Sequence, residues 1–179
     1  MASQRIRRSP VEGLIVGSLS GLVGTILMTQ FLILWKTAAQ EFHPPKPKSE
    51  AKQSEKEKED STMKAAEKVG EAAGHKLSRA EKKKAGNWIH YGFGAAMGGI
   101  YGLIRETAPK SLRRMNPAIS GAGYGTAVFI GAHEIAVPAF GLGSSPLKEP
   151  VPDQISEYLA HLVYGVGTSL TYNAIRRLH

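Results

Sequence analysis

The chain contains no cysteine, few aromatic residues and fewer acidic than basic side chains. Without thiols there can be no disulfides, no cysteine-held iron–sulfur clusters and no thiolate zinc sites. His, Asp, Glu and Tyr are then the only protein ligands open to a metal. Phosphate-binding loops, nucleophile elbows and zinc-protease helix motifs are missing too, and Gly92-Phe93-Gly94 lacks the strand that a dinucleotide fingerprint needs. An enzyme is therefore the less expected class. Charge itself is missing over one long stretch: between Gly13 and Trp35 there is no Asp, Glu, Lys or Arg. At 1.5 Å per residue that run makes about 34 Å of helix, enough to cross a bilayer.

What is present is unevenly spread. The 179 residues carry a net charge of +8, and their mean hydropathy of −0.20 averages two unlike parts. Residues 36–86 hold most of the charge, and the rest is organised as apolar runs bordered by Lys and Arg. Because the basic residues cluster beside those runs and not along one helix face, the expected partner is the lipid bilayer and not nucleic acid.

Four runs define the expected fold: an all-α polytopic membrane protein in a single domain, with transmembrane helices at about 12–35, 87–104, 117–141 and 157–175. Arg5, Arg7 and Arg8 precede the first run, which is too long for a signal peptide, has no small-x-small cleavage site and ends at the interfacial aromatic Trp35. Pro44, Pro45 and Pro47 then stop any helix. In the charged extramembrane connection 36–86, Ala65, Val69, Ala72, Ala73, Leu77 and Ala80 recur at helical spacing. They predict a short surface helix capped by Ser61 or Thr62, after a charged linker over 46–60. Basic residues at the amino terminus, between the second and third runs (Arg105, Lys110, Arg113, Arg114) and at Arg176-Arg177 place both termini in the cytoplasm under the positive-inside rule. Lys82, Lys83 and Lys84 oppose it, on a long connection that weighs less.

Runs two and four superimpose without gaps at an offset of 71, which matches His90 to His161, Gly94 to Gly165, Tyr101 to Tyr172 and Arg105 to Arg176. Runs one and three match at an offset of 101 through Gly24-Thr25 and Gly125-Thr126. This spacing predicts a duplicated helical hairpin with a pseudo-twofold along the membrane normal. Glycines four apart (Gly13, Gly17, Gly21; Gly94, Gly98, Gly102; Gly121, Gly125) predict close helix packing.

Within run three sits His133-Glu134, a histidine and a carboxylate in apolar surroundings. The topology brings His90, Glu157, His161 and Gln30 to a similar depth near the outer end, with Glu157 and His161 on one helical face. Ionisable groups in lipid are costly and normally face a bundle interior. Four readings follow. His90, His133 and His161 with Glu134 or Glu157 form a candidate zinc or iron site. His90 and His161 are candidate axial ligands to a haem. The cluster is a candidate proton-responsive site. Alternatively, these groups only hydrogen-bond one helix to another. The expected role is an accessory or structural membrane protein, in a larger membrane complex or a homo-oligomer, with a metal- or haem-binding membrane module as the alternative.

Gly21, Gly24-Thr25, Met28-Thr29, Trp35, Pro44-Pro45, His90 with Gly94, Gly98 and Tyr101, then Glu157, His161 and Tyr164-Gly165 together resemble the YagU-like family of small bacterial inner-membrane proteins. The resemblance covers most of the chain outside the charged connection. It implies a bacterial inner-membrane location and, for one member, a link to acid resistance, hence to acid or envelope stress. It supplies no ligand set, and the Lys/Glu-rich first connection departs from the pattern.

Overall fold

The computed structural model describes residues 9–42, 60–143 and 150–178, and the described residues are helical with no strand. Helix α1 (Pro10–Phe42) is followed by α2 (Ser61–Ala72), α3 (Arg79–Thr107) and the single turn α4 (Lys110–Arg113). Then come α5 (Pro117–Val128), a π-helical segment (Phe129–Ala136), the short α6 (Val137–Ala139) and α7 (Val151–Leu178). The expected proline exit and linker over 43–59, and the loop around Pro146 and Glu149, lie outside the described residues.

The long helices exceed their apolar runs, because what starts a helix is a cap and not hydropathy. Helix α3 begins eight residues before the expected span, where Ser78 and Glu81 form a reciprocal capping box. Lys82–Lys84 therefore lie inside the helix. Helix α2 is the expected surface helix, but its cap is Asp60, which accepts from the Met63 N–H at 2.8 Å, and neither Ser61 nor Thr62. Its buried face is Met63, Ala66 and Gly70, whereas Val69 is 65% exposed. Helix α7 starts at Val151, so Asp153 belongs to its first turn and not to a loop. The helix of the third run ends at Ala139, two residues before the end of the expected span 117–141, with Gly141 beyond it at φ 63°.

Helix α1 packs antiparallel on α3 and α7, and α5 packs antiparallel on α7. The first contact is a run of facing glycines. A Cβ added to Gly17 or Gly21 would strike the carbonyl oxygen of Gly98 or Gly94, and one on Gly13 would lie 2.8 Å from that of Gly102. Gly121 and Gly125 meet Gly165 and His161 on α7 in the same way. Only backbone fits at such a crossing, so these glycines set the interhelical distance. Between α3 and α5, tyrosines fill a wider gap: Tyr101 and Tyr124 lie 5.0 Å apart, and Tyr124 donates to the Met97 carbonyl at 2.5 Å.

The interior combines an apolar cluster of Met28, Val128, Ala160 and Tyr164 with small polar side chains. Ser20, Thr25, Thr168 and Ser169 are at most 1% exposed. Leu14, Ile15 and Leu34 on α1, Ile104 on α3, Ile119 on α5 and Leu170 on α7 point outward. By length and composition, one helix among the described residues is apolar enough to cross a membrane, Pro10–Ala39.

Candidate functional site

One end of the bundle holds an open cavity of about 580 Å³. Met28, Thr29 and Leu32 from α1, His90, Phe93 and Gly94 from α3, and Glu157, His161 and Tyr164 from α7 form its walls. The π-helical segment contributes Ala132, His133 and Ala136, and Ser61, Thr62 and Ala65 of α2 cover it. Helix α2 is held there by Gly86, whose missing side chain admits Thr62 and Met63, and by Lys68, which donates to the Phe140 carbonyl at 2.7 Å.

His133 owes its position to the π-helix. The Val137 N–H reaches back to the Ala132 carbonyl, five residues away, and Pro138 has no N–H to offer the turn. Such bulges occur mostly as single turns and often at functional sites. The His133 ring stacks on Phe129 at 5.1 Å and meets His161 edge-on at 6.1 Å. Phe129 also touches the rings of Tyr158 and His161.

Each ring is fixed by one hydrogen bond. His161 Nδ1 lies 2.7 Å from the Glu157 carbonyl oxygen. A carbonyl only accepts, so Nδ1 carries the proton and, in the neutral ring, the lone pair sits on Nε2. His133 Nδ1 likewise donates to the Glu134 carboxylate at 3.0 Å. His90 takes the opposite tautomer. Thr29 Oγ1 spends its proton on the Thr25 carbonyl at 2.9 Å, so His90 Nε2 donates to Thr29 across 3.4 Å.

Among the expected site residues, His90, His133, Glu157 and His161 line one cavity, and Glu134 stands behind His133 as its partner. The expected face shared by Glu157 and His161 is present, but the Glu157 backbone orients the ring and not its carboxylate. Gln30 is exposed, and Thr29 takes the inward place one residue earlier. Among the described residues no three of His, Asp and Glu converge closely enough to hold a metal ion.

A second polar cluster, not foreseen, lies at the opposite end. Glu106, with 4% of its side chain exposed, pairs with Arg176 at 3.1 Å and accepts from Tyr172 at 2.6 Å. Arg176 also reaches Glu12 at 3.0 Å. The neighbouring Arg105 donates to the carbonyls of Leu112 and Arg113 and so ties down the α3–α5 loop. The signal was available: at the offset of 71, Arg105 matches Arg176, so the run carries charge inside the helix ends and not only in a loop.

A family model described as a protein of unknown function (DUF1440) matches residues 33–170. No curated protein and no solved structure matches the chain.

Proposed function

This chain belongs to the DUF1440 family, and we propose that it is a four-span protein of the bacterial inner membrane, non-catalytic, with the histidine-lined cavity as its functional site. It serves as an accessory membrane protein, in the manner suggested by its YagU-like resemblance. One observation carries the reading: the fully buried side chains of the bundle are small and mostly polar, while large apolar ones lie on its outside. Ser20, Thr25, Thr168 and Ser169 are fully buried, whereas Leu14, Ile15, Ile119 and Leu170 are exposed. In water this arrangement forfeits the burial of large apolar side chains, about 1.5–3 kcal/mol each. In lipid the same apolar surface costs nothing, and close packing of small residues holds the helices.

Three hydroxyls of α1 fit that setting, since an unpaired polar group in hydrocarbon costs several kcal/mol. Ser20, Thr25 and Thr29 each donate to the carbonyl four residues earlier. The basic loop Arg105–Arg114 then marks the cytoplasmic end together with both termini, and the cavity opens at the other face. A duplicated hairpin is part of the reading: Gly21 sits on Gly94 and Gly98 as Gly121 sits on Gly165 and Ser169. The second helices keep their offset of 71, while these contacts register the first helices at 100 and not at 101.

The absence of cysteine makes the test direct. His75→Cys and Ser111→Cys place single thiols on exposed residues at opposite ends of α3. A membrane-impermeant maleimide applied to intact spheroplasts should label the first and reach the second only after permeabilisation. Labelling of both, or of Ser111→Cys alone, would overturn the topology.

A further inference from the structure

The polar groups facing the cavity have spent their protons elsewhere. Thr25 and Thr29 donate to backbone carbonyls of α1, at 2.8 and 2.9 Å. Tyr164 donates to the Gly94 carbonyl at 2.8 Å, and Thr62 to the Asp60 carboxylate at 2.7 Å. All three imidazoles have their N–H engaged: His161 with a carbonyl, His133 with a carboxylate and His90 with Thr29. In the neutral rings this leaves one bare nitrogen on each histidine, Nε2 of His133 and His161 and Nδ1 of His90. Apart from exposed Lys36 and Asn87 and from Ser61 on α2, the polar atoms lining the space are acceptors.

We propose that the cavity binds an uncharged, mainly apolar molecule bearing a hydroxyl donor, a long-chain phenol or quinol, whose O–H is received by a bare imidazole nitrogen, that of His161 or of the adjacent His133. The proposal rests on the reading of this cavity as the functional site and extends it to a ligand class. Apolar walls from Met28, Leu32, Phe93, Val128, Val137 and Phe140 suit the body of such a molecule, and about 580 Å³ lies within the range of small-molecule pockets. A hydroxyl is selected because a lined acceptor left unmatched on binding keeps the desolvation cost of its lost water, whereas a donor recovers it.

Two other donors fit less well. A bare divalent ion would take the same lone pairs, but it needs several to converge on one point, and no three His, Asp or Glu do so among the described residues. A cationic amphiphile would meet Asp60 and Glu157 as well as Lys36 at the cavity wall, but its charged head would lose its water in a space walled mainly by apolar side chains.

The test compares 4-nonylphenol with its methyl ether, 4-nonylanisole, which has the same body and no donor. Both are titrated by calorimetry into the detergent-solubilised full chain at fixed micelle concentration. The phenol should bind about five- to tenfold more tightly, the worth of one buried hydrogen bond. In one of the two single variants His161→Phe and His133→Phe, the one that removes the accepting nitrogen, that ratio should fall toward one. Partition into micelles cancels when ratios are compared between variants, and unchanged melting of that variant separates loss of selectivity from loss of fold. Equal binding of phenol and ether to the unaltered chain, or no binding of either, overturns the proposal. A ratio that survives both substitutions also overturns it. The maleimide labelling is independent of this outcome, so the topology and the ligand class can fail separately.

Discussion

Glu106 and Arg176 meet inside the bundle at 3.1 Å, carboxylate to guanidinium Nε, one from α3 and the other from α7. With the Tyr172 hydroxyl on the same carboxylate oxygen at 2.6 Å, this pair joins the two long descending helices, which the Tyr101–Ser169 and Tyr164–Gly94 hydrogen bonds also link. Removing one partner of a buried ion pair strands the other charge, at a cost of about 3–5 kcal/mol. Glu106→Ala should therefore lower stability by about 3 kcal/mol, and Glu12→Ala by less than about 1 kcal/mol, since Glu12 is exposed and its bond to Arg176 is screened. Unfolding midpoints in mixed micelles would decide; equal losses would mean that Glu106 is not the anchor.

The facing glycines separate into those that set helix distance and those that do not. Gly98→Ala puts a methyl group onto Gly17 and Gly21 backbone, which cannot yield without spreading α1 from α3. A loss of about 2–4 kcal/mol is expected from overpacking plus lost contacts. Gly92→Ala and Gly123→Ala meet nothing within 4 Å. Both should stabilise by about 0.5–1 kcal/mol through helix propensity. If Gly98→Ala melts no earlier than Gly92→Ala, the crossing is not glycine-limited.

How much of this could be read beforehand depends on which physical signal each feature leaves. The glycine crossings were legible because small residues four apart have one common use, close approach of backbones. Helix boundaries were not, since hydropathy locates apolar runs while Ser78 and Glu81 start α3 well before its run begins. The inward set of α1 was misjudged at Gln30 because depth was considered without rotation: each residue turns the helix by about 100°, which brings Thr29 in and sends Gln30 out. The π-helix has no propensity signature; its only trace was a proline five residues beyond a histidine in an apolar run. Glu106 was hidden by its place beside a loop, where its charge reads as solvated although its side chain turns back into the bundle.

Acid should loosen α3 from its start. Glu81 accepts from the Ser78 hydroxyl at 2.7 Å and from the Ser78 N–H at 2.8 Å. These bonds hold its carboxyl below the ordinary value of 4.5, the side-chain bond contributing most. A carboxylate with a depressed folded value stabilises fully above its unfolded value, and that stability is lost as pH falls through the folded one. Below about pH 4.5 the capping box should therefore open progressively, and above it pH should have no effect. Amide exchange at the first turn of α3, residues 79–82, should accelerate on acidification, and Glu81→Gln should abolish the pH dependence of that change. Acceleration that persists in Glu81→Gln would assign it to another group.

The last expectation concerns the cover of the cavity. Lys68 on α2 donates to the Phe140 carbonyl just past α6, an exposed contact that ties the cover to the end carrying His133. The neighbouring Lys82 is paired with Glu67, a second tie between α2 and α3. Water-accessible contacts such as that of Lys68 are worth little globally, about 0.2–1 kcal/mol, because water competes for both partners. Their local effect is larger, since α2 buries only Met63, Ala66 and Gly70 against the rest of the chain. Lys68→Met keeps the length of the side chain and removes the donor. It should raise amide exchange across Met63–Gly70 by about threefold or more while shifting the global midpoint by less than about 1 kcal/mol. The binding and release rates of 4-nonylphenol should rise together, with affinity nearly constant, because the cover controls passage and contributes little to the site. A change in affinity without a change in exchange would show that α2 forms part of the binding surface and does not act as its cover.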